Sequence, residues 1–392
     1  MLHPEKTFLV PSGYNFRAVL AFCRALEEAG HVPAVVACTA DDPVFRTRFA
    51  AAVVFTRTGR GLAVADFAAA AAAARNRSGA ARCVLAPASE YLIRWALRHR
   101  DELAAAGCEL PLPDEASYLR VTDKASFTAF CHARGLPVPQ ELPDASRLPC
   151  VAKPRWNVAP DGTSLYPWLL RTREEVLRFE RETQPEHFFF QEWVEGRSLY
   201  LFFHLPRRGR ATVFSQENLA QQPGGKSVLL ARVARLHEDA REVAGWEDAL
   251  RAAEFHGVVM LELRQRADGT CVLIEANPRL WGPLQLCVDA CPPLLRGYID
   301  EHLGHAAPVR PPRPIRSRGA YCWAGGFTAG TPVWHGAQPP RGWFARLRFA
   351  VADVYLRRDS WRQFLHEWRG PARDAGVHPV PGKAPPAPAA HT

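Results

Sequence analysis

An Asp268-Gly269 dipeptide set between two apolar, alternating runs constrains this chain more than any other stretch. Val258-Val-Met-Leu-Glu262-Leu-Arg264 precedes it, and Val272-Leu-Ile-Glu275-Ala-Asn277-Pro-Arg279 follows it. Both central residues of a type I′ turn need positive φ, so Asp-Gly in this setting predicts an antiparallel hairpin. With Asp268 and Gly269 as the two turn residues, Ala267 pairs with Thr270, and counting back places Glu262 opposite Glu275 and Met260 opposite Asn277. Alternation with period two then sends Glu262, Glu275 and Asn277 to one face. Directly opposed carboxylates repel, so something positive is expected between them. Hard divalent cations take oxygen ligands, and Mg2+ is held by one or two carboxylates while phosphate oxygens complete its shell. Two Glu and an Asn amide suit that need. The alternative is an acid pair on the solvated face of an antiparallel sheet. The mostly apolar neighbours and the fixed cation of Arg279, just past the strand end, favour the metal.

The N-terminal part follows a different rhythm. Thr7-Phe-Leu-Val reads as a strand, Asn15 to Ala29 as a helix stopped by Gly30, and Val32 to Ala37 as the next strand. The alternation continues with strands at Ala52 to Phe55 and Arg82 to Ala86, and helices near Ala63 to Arg75 and from Ser89 to Ala106. Such alternation implies a parallel sheet covered on both faces. The turn Val10-Pro-Ser-Gly13 stands where a dinucleotide fold carries its phosphate loop, but the Gly-x-Gly-x-x-Gly fingerprint is absent, which argues against a nicotinamide site there. That loop remains a candidate wall of a substrate cleft.

The middle of the chain holds weaker signals. Thr122 reads as the cap of a helix stopped by Gly135, with Lys124 in its first turn, where the helix dipole disfavours a cation unless an anion or solvent meets it. Cys150-Val-Ala-Lys153 is a short strand ending in a lysine beside the loop Trp156 to Pro167, which contains Asp161-Gly162-Thr163-Ser164, a plausible phosphate clamp. Phe188-Phe-Phe-Gln191-Glu192-Trp193-Val194-Glu195-Gly196 is a strand running into a polar hinge, either an adenine-reading edge or an ordinary connector. Ser198 to Leu205 and Ala211 to Ser215 read as antiparallel strands, Gln222 to Ser227 as a mobile loop, and Ala240 to Phe255 as a helix. Pro308 to Pro314 is linker-like, the aromatic and basic segment Trp343 to Trp368 reads as a domain-capping helix in preference to a membrane-surface or nucleic-acid helix, and the stretch from Pro371 is too Pro/Ala-rich to pack.

A chain of 392 residues is too long for one ordinary core. It shows no secretory signal and no apolar tract of membrane-spanning length, so a soluble, cytoplasmic protein is expected. Ten cysteines without any Cys-x-x-Cys pair argue against zinc or a disulfide framework. The net charge of +9 comes from arginines spread along the whole chain rather than striped, which is weak support for nucleic acid. Only five of 49 basic residues are lysines, at positions 6, 124, 153, 226 and 383. Lysine is not interchangeable with arginine, so retained lysines in ordered stretches invite a specific role.

Lys124, Lys153, the hinge from Gln191 to Gly196 and the Glu262 / Glu275-x-Asn277-x-Arg279 hairpin, in this order, resemble the ATP-grasp superfamily over residues 1–305. Gly257-x-x-x-x-Glu262 and Glu275-Ala-Asn277-Pro-Arg279-Leu-Trp-Gly282 are similar to its carbamoyl-phosphate-synthase-like, predicted carboxylate-amine ligase branch. The resemblance implies an N-terminal parallel α/β domain (1–113) followed by a two-lobed fold, with a small lobe (114–190) and a large lobe carrying the metal site (191–306); beyond it, composition leaves an aromatic and basic extension (307–370) and a disordered tail (371–392). It implies that Lys124 and Lys153 bind nucleotide phosphates, that Gln191, Glu192, Trp193 and Val194 meet adenine, and that Glu262, Glu275 and Asn277 hold one or two Mg2+, with Mn2+ an alternative. Arg279 and Lys153 take the catalytic roles. Where the family places a Glu after the hinge glycine for ribose, this chain has Arg197-Ser198, leaving Glu195 or Ser198 for that contact. The implied reaction activates a carboxylate with ATP to an acyl phosphate, which an amine or thiol then attacks. Small-molecule substrates are expected, with neither specific nucleic acid nor a membrane span, and the oligomeric state is open. The rivals are an ATP-binding kinase or sensor without ligase chemistry, and an Arg-rich nucleic-acid-binding protein.

Overall fold

Short runs of Val, Ile, Leu and Phe separated by helices build the first layer. The computed structural model describes residues 5–155, 165–304, 315–336, 339, 342–357 and 359–369. Strands β1 (Lys6–Pro11), β2 (Ala34–Ala37), β3 (Val53–Thr56), β4 (Arg82–Leu85) and β5 (Cys108–Glu109) form a parallel sheet in the order β3-β2-β1-β4-β5. Phe8, Leu9 and Val10 have no exposed surface, as a strand covered on both faces requires. The chain order reverses between β1 and β4, where open α/β sheets leave a crevice at their strand ends.

Residues 140–193 make a small compact unit of their own. In it β6 (Glu141–Leu142), β7 (Cys150–Pro154), β8 (Trp168–Leu170) and β9 (Phe188–Glu192) pair antiparallel in the order β6-β9-β7-β8. One face buries Cys150, Ala152 and Leu170 against Val176 and Phe179 of the helix Arg173–Glu182, whose Thr172 accepts a hydrogen bond from the Glu175 amide as its cap.

The rest of the described chain, 5–139 with 194–369, is the larger unit. Its second sheet contains β10 (Arg197–Leu205), β11 (Thr212–Gln221), β12 (Val228–Val233), β13 (Gly257–Gln265), β14 (Cys271–Asn277), β15 (Ala320–Cys322) and β16 (Val333–Trp334). The order is β14-β13-β10-β11-β12-β15, with β16 paired to the end of β11. Leu199, Leu201 and Phe203 point to one side, where Trp246 and Leu250 of the helix Ala240–Ala252 cover them. Tyr200, Phe202 and Met260 point to the other, into a core shared with Phe8, Phe22, Trp281 and Tyr298.

The β13–β14 hairpin reaches the expected pairing by an unexpected route. Its loop has three residues, Ala267, Asp268 and Gly269, closed by Arg266 and Thr270: the Gly269 amide donates to the Arg266 carbonyl (3.0 Å) and the Arg266 amide to the Thr270 carbonyl (2.9 Å). Gly269 lies at φ 91°, the left-handed glycine of a type I turn with a bulge. That loop shifts the near-turn register by one, so Leu263 pairs with Leu273. A second irregularity, with Ile274 as the extra residue, shifts it back, and Glu262 faces Glu275 while Met260 faces Asn277.

Three further differences are local. Asp123, not Thr122, caps the helix Lys124–His132, accepting from the Ser126 amide at 2.7 Å, because Thr122 ends a preceding helix, Glu115–Thr122, that Asp114 caps. The helix expected from Ser89 to Ala106 is two, Glu90–Arg98 and Arg100–Ala105, broken at His99. The aromatic segment is also two helices. Trp361–Arg369 caps the core, with Gln363 buried and Glu367 accepting from the Trp323 indole at 2.8 Å, whereas Trp343–Ala350 leaves Trp343 and Phe344 exposed.

Two buried arginines on the helix Phe16–Glu28 tie the C-terminal segment to the N-terminal sheet. Arg17 lies 3.7 Å over the Trp323 ring and donates to the Tyr321 hydroxyl and the Val228 carbonyl, each at 3.2 Å. Arg24 forks onto Asp359 at 2.8 and 2.5 Å and reaches Gln285 (2.6 Å), Ser360 (2.7 Å) and the Val354 carbonyl (3.0 Å). All ten cysteines are free, and among the described residues no helix is long and apolar enough to cross a membrane. The Asp161-Gly162-Thr163-Ser164 stretch, the Pro308 to Pro314 linker and the tail from Pro371 lie outside the described residues.

Candidate active site

Three adjacent strands of the larger unit put a polar row across an apolar sheet face. Tyr200 on β10 is opposite Glu262 on β13, which is opposite Glu275 on β14. Asn277 follows two residues later on the same face, and its amide group donates to Glu275 Oε1 at 2.7 Å. Arg279 Nη2 donates to Asn277 Oδ1 at 3.1 Å. The row is flanked by two more cations: Lys124 Nζ is 3.7 Å from Glu275 Oε2, and Arg264 Nη2 is 3.8 Å from Glu262 Oε1. Lys124 therefore meets an anion rather than solvent. The carboxylates are largely shielded, at 14% exposure for Glu262 and 29% for Glu275. Burial and then the two Glu charges push the Tyr200 hydroxyl well above its usual range, so it is a neutral donor at working pH.

Arg279 is placed by its backbone. Past the fixed φ of Pro278, the Leu280 amide donates to the Pro87 carbonyl (2.9 Å) and the Asn15 side chain donates to the Leu280 carbonyl (3.1 Å). Pro87 and Asn15 follow β4 and β1, so the turn is pinned at the crevice where the parallel sheet reverses order.

In the smaller unit, Lys153 and Gln191 share the face of the sheet opposite its core, since Val151 pairs with Gln191 and Lys153 with Phe189. Lys153 is 8% exposed. Gln191 Oε1 is buried without a hydrogen-bond partner among the described residues, and such an orphaned acceptor usually marks a missing donor. The Glu192 amide donates to the Gln140 carbonyl at 2.9 Å and the Trp193 amide to the Pro149 carbonyl at 3.4 Å, so the hinge amides here complete the sheet edge. Val194 and Ser198 belong to the larger unit. Ser198 is fully buried and accepts from Asn218 at 3.0 Å, whereas Glu195 is exposed.

The larger unit thus gathers Lys124, Glu262, Glu275, Asn277 and Arg279, while the smaller carries Lys153, Gln191, Glu192 and Trp193. Two carboxylates and an amide oxygen in one row are the hard donor set that Mg2+ takes, and Asn277 Oδ1 has a second lone pair besides the one Arg279 uses. Among the described residues no group of three or more His, Cys, Asp or Glu side chains is placed to hold a metal ion, so the row offers two carboxylates and an amide rather than three carboxylates.

No family model and no curated protein matches the sequence. Solved structures do match. An ADP complex of N5-carboxyaminoimidazole ribonucleotide synthetase superposes with a TM-score of 0.57 at 19% identity, covering 77% of this chain and 78% of that one. A biotin carboxylase bound to a β,γ-ATP ligand, from Campylobacter jejuni, gives 0.57 at 12% identity, covering 78% and 72%. The biotin carboxylase domain of Hydrogenobacter thermophilus 2-oxoglutarate carboxylase, with MgADP, ADP and bicarbonate, gives 0.57 at 13% identity, covering 82% and 75%. The chain has the ATP-grasp fold.

Within this ATP-grasp frame the hairpin motif was legible in sequence, and two members of the row were not. Arg264 had a signal that sequence reasoning passed over, its spacing of two from Glu262 on the same strand face. Tyr200 had none, because its place opposite Glu262 depends on strand pairing across a gap of 62 residues. Gly196 is required where the hinge enters β10: it sits at φ 142°, and a Cβ there would lie 2.0 Å from the Gln265 carbonyl. Gly196→Ala is therefore expected to destabilise the chain by more than about 1 kcal/mol, seen as a thermal midpoint lowered by several degrees. An unchanged midpoint would show that the hinge shifts freely.

Proposed function

We propose that this chain is an ATP-dependent carboxylate-amine, or carboxylate-thiol, ligase that forms an acyl phosphate and releases ADP and phosphate. The observation that carries this reading is the Tyr200–Glu262–Glu275 row with Asn277 and Arg279, in a fold whose solved relatives include complexes with ADP, a β,γ-ATP ligand and MgADP. Glu262, Glu275 and Asn277 would hold one or two Mg2+, or Mn2+. When bound, the metal supplies charge neutralisation and orientation to the phosphate oxygens.

The chain's own residues account for the rest. Lys124 and Lys153 pair with phosphate oxygens, and Arg279 faces the charge that develops as the terminal phosphoryl moves to the carboxylate, since phosphoryl transfer needs chiefly positioning and positive charge. Gln191, Glu192, Trp193 and Val194 read adenine; the orphaned acceptor of Gln191 suits an amino group. Of the two residues considered for ribose, exposed Glu195 is better disposed than buried Ser198. Free thiols throughout agree with a reducing, cytoplasmic setting.

The test is to incubate the purified chain with Mg2+, ATP and pairs drawn from amino acids and dicarboxylates, following ADP and amide together. Stoichiometric ADP and amide is the expected result. ADP that needs an acid but never yields a coupled product would leave a kinase instead, and nucleotide binding without turnover on any pair would leave a sensor.

A further inference from the structure

The reverse of the sheet face that carries Tyr200 and Glu262 is not covered to its end. There Leu199 is opposite Glu217, Glu217 is opposite Arg232, and Arg197 is opposite Gln265. The helix Ala240–Ala252 covers this face farther along, and its cap, Asp239, stands at the edge of a 650 Å³ cavity lined by Arg197, Leu199, Glu217 and Arg232. A second cavity, of 470 Å³, opens between the helix Leu284–Ala290 and the C-terminal segment, with Asp289, Arg316 and Arg357 in its wall. Arg318, Gly319 and Arg348 line both, so the two cavities are neighbours on either side of those arginines. The C-terminal segment, which has no role in the family resemblance, supplies most of this wall.

The cations of this cleft are held in place. Glu217, whose side chain is 5% exposed, accepts from Arg197 Nε and Nη2, each at 2.9 Å, and from Arg232 Nε at 2.7 Å. One buried carboxylate thus fixes two guanidiniums that stay about half exposed. On the facing wall the backbone does the fixing. The Arg316 amide donates to the Ala290 carbonyl at 2.7 Å, and the Val233 amide donates to the Gly319 carbonyl at 3.2 Å. Gly319 permits that approach, since a Cβ there would lie 3.1 Å from Val233 Cγ2 and 3.2 Å from Leu286 Cδ1. The charges do not balance. Arg357 is matched by Asp289 and Arg235 by Glu238. Arg197 and Arg232 share one carboxylate, and Asp239, spent on the amides of Arg241 and Glu242, offsets the charge left over. Among the described residues no carboxylate forms an ion pair with Arg316, Arg318 or Arg348, so their three charges face the cleft unmatched. Two carboxylates are too few to balance them, whereas two phosphate groups, each about −1.5 to −2 at pH 7, suffice. Guanidinium forks also fit phosphate oxygens in pairs.

We propose that this cleft is a ligand site for a small molecule carrying two phosphate groups, one on each side of Arg318 and Arg348. It lies behind the strands that carry Tyr200 and Glu262, and it owes nothing to the ATP-dependent reading of that row.

The experiment is titration calorimetry on the full chain, without nucleotide or added metal. Pyrophosphate and bisphosphoglycerate are the probes, with inorganic phosphate and succinate as controls. At least one probe is expected to bind about 10-fold or more tightly than either control, as one additional charge-assisted contact requires. In R318Q and in R348Q that affinity should fall about 10–100-fold, the worth of one such contact. R318K should fall nearly as far, because an ammonium keeps the charge and loses the fork. K124Q, altered at the candidate nucleotide site, should bind the probe as wild type does. Absence of binding by both probes would overturn the proposal, as would full affinity in both R318Q and R348Q. Loss in K124Q with the arginine variants unaffected would place the probe at the candidate nucleotide site instead and overturn it too. Controls that bind as tightly as the probes would remove the two-phosphate requirement, and wild-type affinity in R318K would reduce the cleft to a diffuse basic surface; either result also overturns the proposal. Arg318 and Arg348 are exposed, so their substitution spares the core, and a melting curve of each variant checks that it does.

Discussion

Glu275→Gln is expected to abolish acid-dependent ADP formation, lowering it by at least about 10²–10³-fold, while leaving the thermal midpoint unchanged or slightly higher. The substitution keeps an oxygen to accept the Asn277 amide hydrogen bond, now 2.7 Å from Glu275 Oε1, and changes little but charge. It removes a ligand from the proposed metal face and the partner of Lys124. At the same time it relieves the repulsion between carboxylates opposed across β13 and β14, a destabilising arrangement in any antiparallel pair. A group kept at a cost to stability and lost with activity is the signature of function. Steady-state ADP release and calorimetric melting of the same preparation would measure both; full turnover in the variant would sink the assignment of Glu275.

The second large effect is on stability. Arg24→Met is expected to destabilise the larger unit by about 3–5 kcal/mol, because it leaves the shielded Asp359 carboxylate without its forked partner. Burial works to raise the Asp359 carboxyl, but the hydrogen bonds and charge of Arg24 outweigh it and hold the group below the usual carboxylate range. A depressed carboxyl contributes stability that is complete above its unfolded value, about 3.9, and that is lost as pH falls through the folded value. Without Arg24, burial is opposed only by the Ser360 hydrogen bond and the Arg357 charge, so the depression shrinks or is lost and the variant lacks the stability it contributes above the unfolded value. The gap between wild type and variant should therefore be widest near neutrality and narrow below about pH 4. Denaturant midpoints at pH 7 and pH 3.5 would show it; a gap independent of pH would place the cost in lost packing instead. The same clasp bears on how the nucleic-acid-binding alternative can be probed, since residues 315–392 cannot simply be deleted. β15 and the Arg17 and Arg24 contacts belong to the core of the larger unit, so that deletion would unfold what it means to probe. Substituting exposed Trp343 and Phe344 is the sound alternative.

How the hairpin came to be legible is instructive. The Asp-Gly signal named a hairpin and its strands correctly but implied a two-residue loop, where the chain makes a three-residue one. The expected opposition of Glu262 and Glu275 nevertheless holds, because the irregularity at Ile274 cancels the shift. Turn chemistry is local and readable; a bulge depends on how a strand packs against the sheet beneath it, and no residue type announces it. The helix cap was misplaced at Thr122 for a similar reason, since an acceptable cap one residue early is chosen only if no preceding helix claims it.

The sequence by itself determined the fold class: a parallel sheet from the strand–helix alternation, antiparallel sheets from the turn-bounded strands, and a row of Glu, Glu and Asn on one face beside Arg279. These follow from periodicity and turn residues, which act over a few positions. Only the tertiary structure decided that Tyr200 completes the row, that Arg24 reaches Asp359 across 335 positions, and that His335, 71 positions beyond Arg264, accepts from its guanidinium. Such contacts are made by strand pairing and core packing between distant segments. Neither the composition nor the spacing of the residues involved carries a trace of them.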